Sequence, residues 1–384
     1  MVPPNGGTPP LRTAHFLNPT ATSVQDIQTP SPIFATPSSS KKEITPVEVR
    51  FRGRPFQQKN WKTWLDKLQP QHESTWKKAE IYDAILTSIY DIKSDGDLRD
   101  VSRDQCLHFP WGEATITLED MMVLGGYSVL GESKNLTKAY REACTFKYGR
   151  TQPPTYSAWM NQFMGSGSSI KHKAFLVLWL SKYFFPLVLR GFSPHCSSSI
   201  CRDANCSCSK NKLGTVTLWA PFHLVQLWAW ERFGTLCPKP NPINCGELRS
   251  ARWHKLGKLK VDNVRDAIDY VGECFQWHPY AAVAKSEGVL ARCCRASELV
   301  GVDDCIEQYL PHRVAMQVGL DQDIPGYFTR CNETPEVAWG NYNRPIIDEK
   351  LYIPPRLVQS DVTDRYSKWW RETMLASGLG KEGR

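Results

Sequence analysis

The stretch Phe109-Pro110-Trp111-Gly112-Glu113-Ala114-Thr115-Ile116-Thr117-Leu118-Glu119-Asp120-Met121-Met122-Val123-Leu124-Gly125-Gly126-Tyr127 decides how this chain folds. Pro-Trp-Gly predicts a turn, and Ala114-Thr115-Ile116-Thr117 alternates apolar and β-favouring residues as a short strand does. Thr117 suits a helix N-cap, and Asp120 at the third helical position completes a capping box and favours the N-terminal dipole. Leu118, Met121 and Met122 share one helical face, and Gly125-Gly126 supplies a left-handed residue to end the helix. Trp111 is large enough to anchor whatever packs beneath it. Trp111, Gly112, Glu113, Thr117, Asp120, Gly125 and Gly126 therefore read as the structural signature of a strand-turn-helix nucleus. Glu113, Glu119 and Asp120 form an acidic cluster, but no nucleophile or metal ligand stands at a defined spacing from them.

Helical periodicity dominates on both sides of this nucleus. Trp61, Trp64, Leu65 and Leu68 fall on one face of a helix that Pro70 is expected to end, and Ile81, Ala84, Ile85 and Ile89 repeat the pattern. His172 to Leu189 is apolar almost all round, as is Trp219 to Phe233, so both belong inside a large core. Val264, Ala267, Ile268, Val271 and Phe275 keep helical spacing behind Asp262 as N-cap. Pro311 opens a helix that Gly319 closes, and Val362, Tyr366, Trp369, Trp370 and Met374 form a last amphipathic helix behind Ser360 and Asp361. Asp321-Gln322-Asp323-Ile324-Pro325-Gly326 reads as a turn with solvated acids rather than a calcium loop.

The sequence predicts a mainly α-helical fold: one large helical domain with a minor β hairpin or strand element and a disordered N-terminal arm. Residues 1–55, rich in Pro, Ser and Thr, form the arm; 56–376 form the domain, with an irregular Cys/Ser-rich insertion at about 190–214; 377–384 are a flexible tail. The 384 residues contain 41% hydrophobic residues and 14 Trp, enough for a substantial core. Forty-seven basic against 39 acidic residues give a net charge of +8, which is compatible with nucleic-acid or chromatin contact without requiring it. No signal peptide is visible, and the run from Ala174 to Leu189 is too short and too interrupted for a membrane helix, so no membrane partner is expected. The 13 Cys are mostly scattered; Cys106, Cys144, Cys274 and Cys305 look like small buried hydrophobes of a reducing compartment.

Three segments invite a chemical reading. His195, Cys196, Cys201, Cys206 and Cys208 form a ligand-like cluster, but C-x4-C-x4-C-x-C lacks the paired close knuckles of structural zinc sites. The segment is read as a degenerate insertion, with no metal expected. Arg249, Arg252, Lys255, Lys258 and Lys260 surround Trp253; they could form a basic contact surface for phosphate or an acidic partner, but a solvated loop leading into the next helix is the preferred reading. Gly165-Ser166-Gly167-Ser168-Ser169 lies near Lys171 and Lys173, but no strand precedes it, so a pyridoxal-phosphate cup is not expected, nor any other cofactor.

The segment FPWGEATITLEDMMVLGGYSVLG resembles the signature of the plant mobile domain family, often labelled aminotransferase-like. WKKAEIYDAILTSIY precedes it in the family order. HKAFLVLWLSKYFFP, LWAPFHLVQLWAWERF, YLPHRVAMQVGLDQDIPG and YIPPRLVQSDVTDRYSKWW follow, so the resemblance spreads over roughly residues 57–372. It implies a non-enzymatic nuclear interaction module associated with transposon silencing, genome integrity and meristem maintenance, working with protein partners that include a phosphatase-like one. The alternatives it leaves open are a pyridoxal-phosphate aminotransferase-like or other enzyme, a transposon-derived nucleic-acid-binding protein, and a cytoplasmic or plastid location. Against the family pattern, the connection after Tyr90, the Cys-rich segment and the region from Lys285 to Leu299 look shortened or degraded, as in a transposon-borne or decaying copy.

Overall fold

The structure, a computed structural model, describes residues 16–17, 19–23, 48–52, 59–93, 107–130, 156–165, 170–183, 215–219, 222–257, 259, 261, 263–269, 274–283, 287–300, 306–328, 332–345 and 359–376. It is mainly helical, and the strands that it describes pair only two by two.

Four helices form an N-terminal layer: α1 (Trp61–Lys78), α2 (Tyr82–Thr87), α4 (Tyr156–Met164) and α5 (Lys171–Tyr183). They are held by aromatic packing. Trp61 stacks on Phe175 at 4.8 Å while Trp64 meets the same ring edge-on at 5.3 Å, and all three side chains are fully buried. Pro70 does not end α1, which runs on to Lys78 and brings Trp76 into the same core. Pro70 sits on the exposed side of the helix, so water can satisfy the carbonyl that the ring leaves without its N–H donor.

The second layer centres on α3 (Leu118–Gly125) and α6 (Phe222–Arg232), with a 3-10 helix at Arg249–Trp253 and the short α7 (Val264–Asp269). Above it sits an antiparallel hairpin of β2 (Leu107–Phe109) and β3 (Gly112–Ala114), turned at Pro110-Trp111. The strand is thus earlier and shorter than the alternation over 114–117 predicts. Residue 115 pairs with a side chain instead: the Thr115 N–H donates to Gln317 Oε1 and Gln317 Nε2 donates to the Thr115 carbonyl, both at 2.8 Å. Tyr127 packs on both layers and joins them.

The remaining described elements are β1 (Glu48–Arg52), paired in parallel with β4 (Thr215–Trp219), α8 (Glu287–Cys294), and the antiparallel β5 (Ser297–Val300) and β6 (Ile306–Tyr309). A 3-10 helix at Pro311–Val318, α9 (Pro335–Asn343) and α10 (Asp364–Ala376) complete them. Several boundaries differ from the sequence reading. Trp219 belongs to a strand; Asn263 Oδ1 accepts from the Asp266 N–H at the start of α7, Asp262 lying outside the described residues; Phe275 lies beyond that helix in a bridge to Phe233. Thr363 caps α10, leaving Val362 in a bridge to Gln322. Helix α8 occupies part of the region that reads as degraded. Cys274 is exposed rather than buried; Cys293 and Cys294 are the buried thiols among the described residues, and Cys106, Cys144 and Cys305 lie outside them.

Two histidines make the fold sensitive to acid. His172 stacks on His72 at 3.7 Å and accepts from Trp76 Nε1 at 2.8 Å; burial, then the charge of His72, lowers its pKa from 6.5 to about 4. His312, near Arg313 and Glu113, is lowered to about 4 mainly by burial, against the hydrogen bond with the Gly326 carbonyl. Both stay neutral in the folded chain at pH values where the unfolded chain protonates them. Their contribution is therefore complete above pH 6.5 and is lost as pH falls towards 4, at up to about 3 kcal/mol for His312 and less for His172, which solvent screens in part. Melting temperatures at pH 7, 5.5 and 4.5 should fall in that order, and less steeply in His172→Gln; a flat profile would contradict this.

Candidate functional site

The signature ends in charge that points inward. Thr117 forms the capping box that its spacing predicts: Asp120 Oδ2 accepts from the Thr117 N–H at 2.8 Å and the Asp120 N–H donates to Thr117 Oγ1 at 3.3 Å. Gly126 closes α3 at φ 70°, and a Cβ there would lie 2.5 Å from the Asp83 carbonyl carbon, so this crossing requires glycine. The buried face of α3, however, is Glu119, Asp120, Val123 and Leu124 rather than Leu118, Met121 and Met122, which are only partly buried.

Each acid has a partner far away in the sequence. Asp120 Oδ1 lies 3.0 Å from Arg232 Nη2, both side chains being at most 1% exposed. The guanidinium is held over the rings of Trp228 at 5.5 Å and Tyr280 at 5.4 Å, at the C-terminal end of α6 where a cation suits the dipole. Burial pushes the Asp120 carboxyl up, and the charge of Arg232 and the Thr117 hydrogen bonds offset only part of this. Glu119 lies 3.6 Å from His278. The residue before Arg232 ties α6 to its other neighbour: Glu231 accepts from Arg249 Nη2 and Trp253 Nε1, both at 2.7 Å, with Arg252 at 3.5 Å.

Glu113 is enclosed in the same way. It faces His108 across the hairpin at 3.2 Å and receives a two-pronged contact from Arg313, with Nε at 3.1 Å. Burial alone would raise this carboxyl; the hydrogen bond from His108 and the Arg313 charge outweigh it and hold Glu113 below the usual range. Further along, Asp323 accepts from Arg365 Nε at 2.7 Å and from Thr363 Oγ1 at 2.8 Å, and Asp321 accepts from the Asp361 N–H at 2.9 Å. These acids are buried ties, not the solvated turn that the sequence suggests. Trp111 is half-buried rather than sunk at the strand-helix junction. It packs on Phe109 at 4.5 Å, Phe275 at 4.7 Å and Trp277 at 5.4 Å.

The other singled-out residues separate. Arg249 and Arg252 are drawn to Glu231, Lys255 is exposed with its N–H bonded to the Asp91 carbonyl, and Lys258 and Lys260 lie outside the described residues. His195, Cys196, Cys201, Cys206 and Cys208 also lie outside them. Among the described residues no group of three His, Cys, Asp or Glu is placed to hold a metal, and no described helix is long and apolar enough to cross a membrane. Beside Gly126 opens a groove of about 390 Å³ with Tyr82, Met122, Tyr127 and Leu130 in its lining and Lys77, Glu80 and Asp83 among its polar groups. Lys77 pairs with Glu73, and Glu80 bonds Ser128.

The described fold is mainly helical and pairs the signature's acids inside it, and the class of protein follows from its sequence profile. The sequence profile of the family described as plant mobile domain matches residues 80–192 and 192–371, and the chain belongs to that family. The chain is also similar to the serine/threonine-protein phosphatase 7 long form homolog of Arabidopsis thaliana, 24% identical over 285 residues, which cover 57% of this chain and 20% of the relative. It thus spans about one fifth of that protein's length. No solved structure matches it.

Proposed function

We propose that the chain is a non-enzymatic interaction module acting in the nucleus, in the silencing of transposons, genome integrity and meristem maintenance, and that a phosphatase-type protein is among its partners. The observation that carries this reading is the pairing of the signature's acids. Glu113 and Asp120 spend their charge on Arg313 and Arg232 inside the fold, where a general acid or base would need to reach a substrate. The likeness to part of a phosphatase homolog supports the partner class, since a domain found within a longer chain in one protein can meet the same neighbour as a separate chain in another.

A fluorescent fusion of the full chain should concentrate in the nucleus. Affinity capture from nuclear extract should recover a phosphatase-type protein whether or not nuclease is added. Exclusive plastid labelling, or a partner set that vanishes with nuclease, would overturn the reading in favour of a different compartment or of nucleic-acid binding. Incubation with pyridoxal phosphate and borohydride should leave no stoichiometrically labelled lysine; one that appeared would revive the aminotransferase reading.

A further inference from the structure

Residues 16–17 and 19–23 belong to none of the described helices or paired strands, yet they lie against the C-terminal third of the fold. Ala21 is 4% exposed in the cluster of Ile324, Tyr366, Trp369, Trp370 and Met374. Leu17 packs on the neighbouring cluster of Cys294, Ala315, Val318 and Leu320. The main chain does most of the holding. The Ala21 N–H donates to the Ile324 carbonyl at 2.9 Å, and the Gly326 N–H donates to the Pro19 carbonyl at 3.1 Å. Phe16 bridges Asp321 in the parallel sense and Thr20 bridges Pro325 in the antiparallel sense.

The receiving surface is shaped for a close backbone. A Cβ at Gly326 would lie 2.9 Å from the carbonyl carbon of Thr20 and 3.0 Å from its oxygen, so any side chain there would push the segment away. The surface is itself rigidly built. Gln322 donates to the His312 and Asp323 carbonyls and accepts from the Ala315 N–H, while Asp323 is clamped by Arg365 and Thr363. Main-chain hydrogen bonds combined with pockets for alternate side chains are how folded domains take up extended peptides. Of its described side chains only Ala21 is buried; Leu17 is partly buried and Phe16 is 44% exposed.

We propose that Leu320–Gly326, backed by the 3-10 helix at Pro311–Val318 and by α10, is a peptide-docking groove that this chain fills with its own residues 16–17 and 19–23. The partner it fits is a peptide that offers main-chain groups to Ile324 and Gly326, a leucine to the Cys294–Leu320 cluster and a small residue to the aromatic cluster. The strap and such a partner compete for the groove. This adds a partner class to the interaction-module reading, but its test needs neither a nucleus nor a captured protein, so the two fail separately.

The test uses the full chain carrying an engineered protease site between Ser39 and Ser40, cut after purification, and a fluorescent synthetic peptide of residues 14–24. The peptide should displace the cut N-terminal fragment in a saturable manner. Gly326→Ala should weaken its binding about tenfold or more, and a peptide with Ala21→Glu should not compete, because it would carry a charge into the aromatic cluster. Failure of the wild-type peptide to bind the cut chain, or equal binding of the Ala21→Glu peptide, would overturn the proposal.

Discussion

Replacing Arg232 by Met is expected to cost about 3–5 kcal/mol, the usual loss when one partner of a buried ion pair is removed and the other stays charged. Asp120 would be left at 1% exposure with only its Thr117 hydrogen bonds. That is a large share of the roughly 5–15 kcal/mol available to a domain. The damage should depend on pH with a definite sign. Without Arg232 the folded pKa of Asp120, already raised, climbs further, so the folded chain binds a proton that the unfolded chain does not. The variant should therefore lose least in mild acid and progressively more as pH rises. Adding Asp120→Asn, which keeps an acceptor for the cap, should restore much of the loss. Urea unfolding of the three chains decides it; equal loss in the single and double variants would sink the ion-pair account.

Trp61→Ala should cost a similar amount, about 3–5 kcal/mol, but for a different reason. The indole is fully buried against Phe175 and Trp64, and its Nε1 donates to Ser88 Oγ at 2.9 Å. Removal leaves both a cavity and a buried hydroxyl without that donor. Unlike Arg232→Met, this variant should show no recovery in mild acid. It should lose the N-terminal layer first, visible as early loss of near-ultraviolet circular dichroism.

The sequence exposed local information well and distant pairing poorly. The capping box at Thr117, the glycine stop at Gly126 and the aromatic face from Trp61 to Leu68 depend on residues within two helical turns of each other, and spacing alone conveys them. The phase of that face also continued to Trp76, a cue that outweighed the usual meaning of Pro70. The partners of Glu113 and Asp120 had no such cue in spacing, since Arg313 lies 200 positions from Glu113. The one available signal was the Glu231-Arg232 pair ending an otherwise apolar helix, where charge is affordable only if matched. The acids at 321 and 323 misled for the same reason: their partners at 361, 363 and 365 come from another element. The two-way bond from Gln317 to Thr115 explains why the strand stops at Ala114 instead of running on to Thr117.

The central claim is that the signature holds the fold together from within, and Glu113 tests it most directly. The sequence by itself would leave Glu113→Gln harmless. With the carboxylate held by both Arg313 and His108, the account predicts a loss of about 1.5–3 kcal/mol in denaturant unfolding, the range for hydrogen bonds to a charged group. It also predicts a native spectrum in dilute buffer and unchanged capture of partners. Unaltered stability together with abolished capture or function would make Glu113 part of a working site and contradict the account.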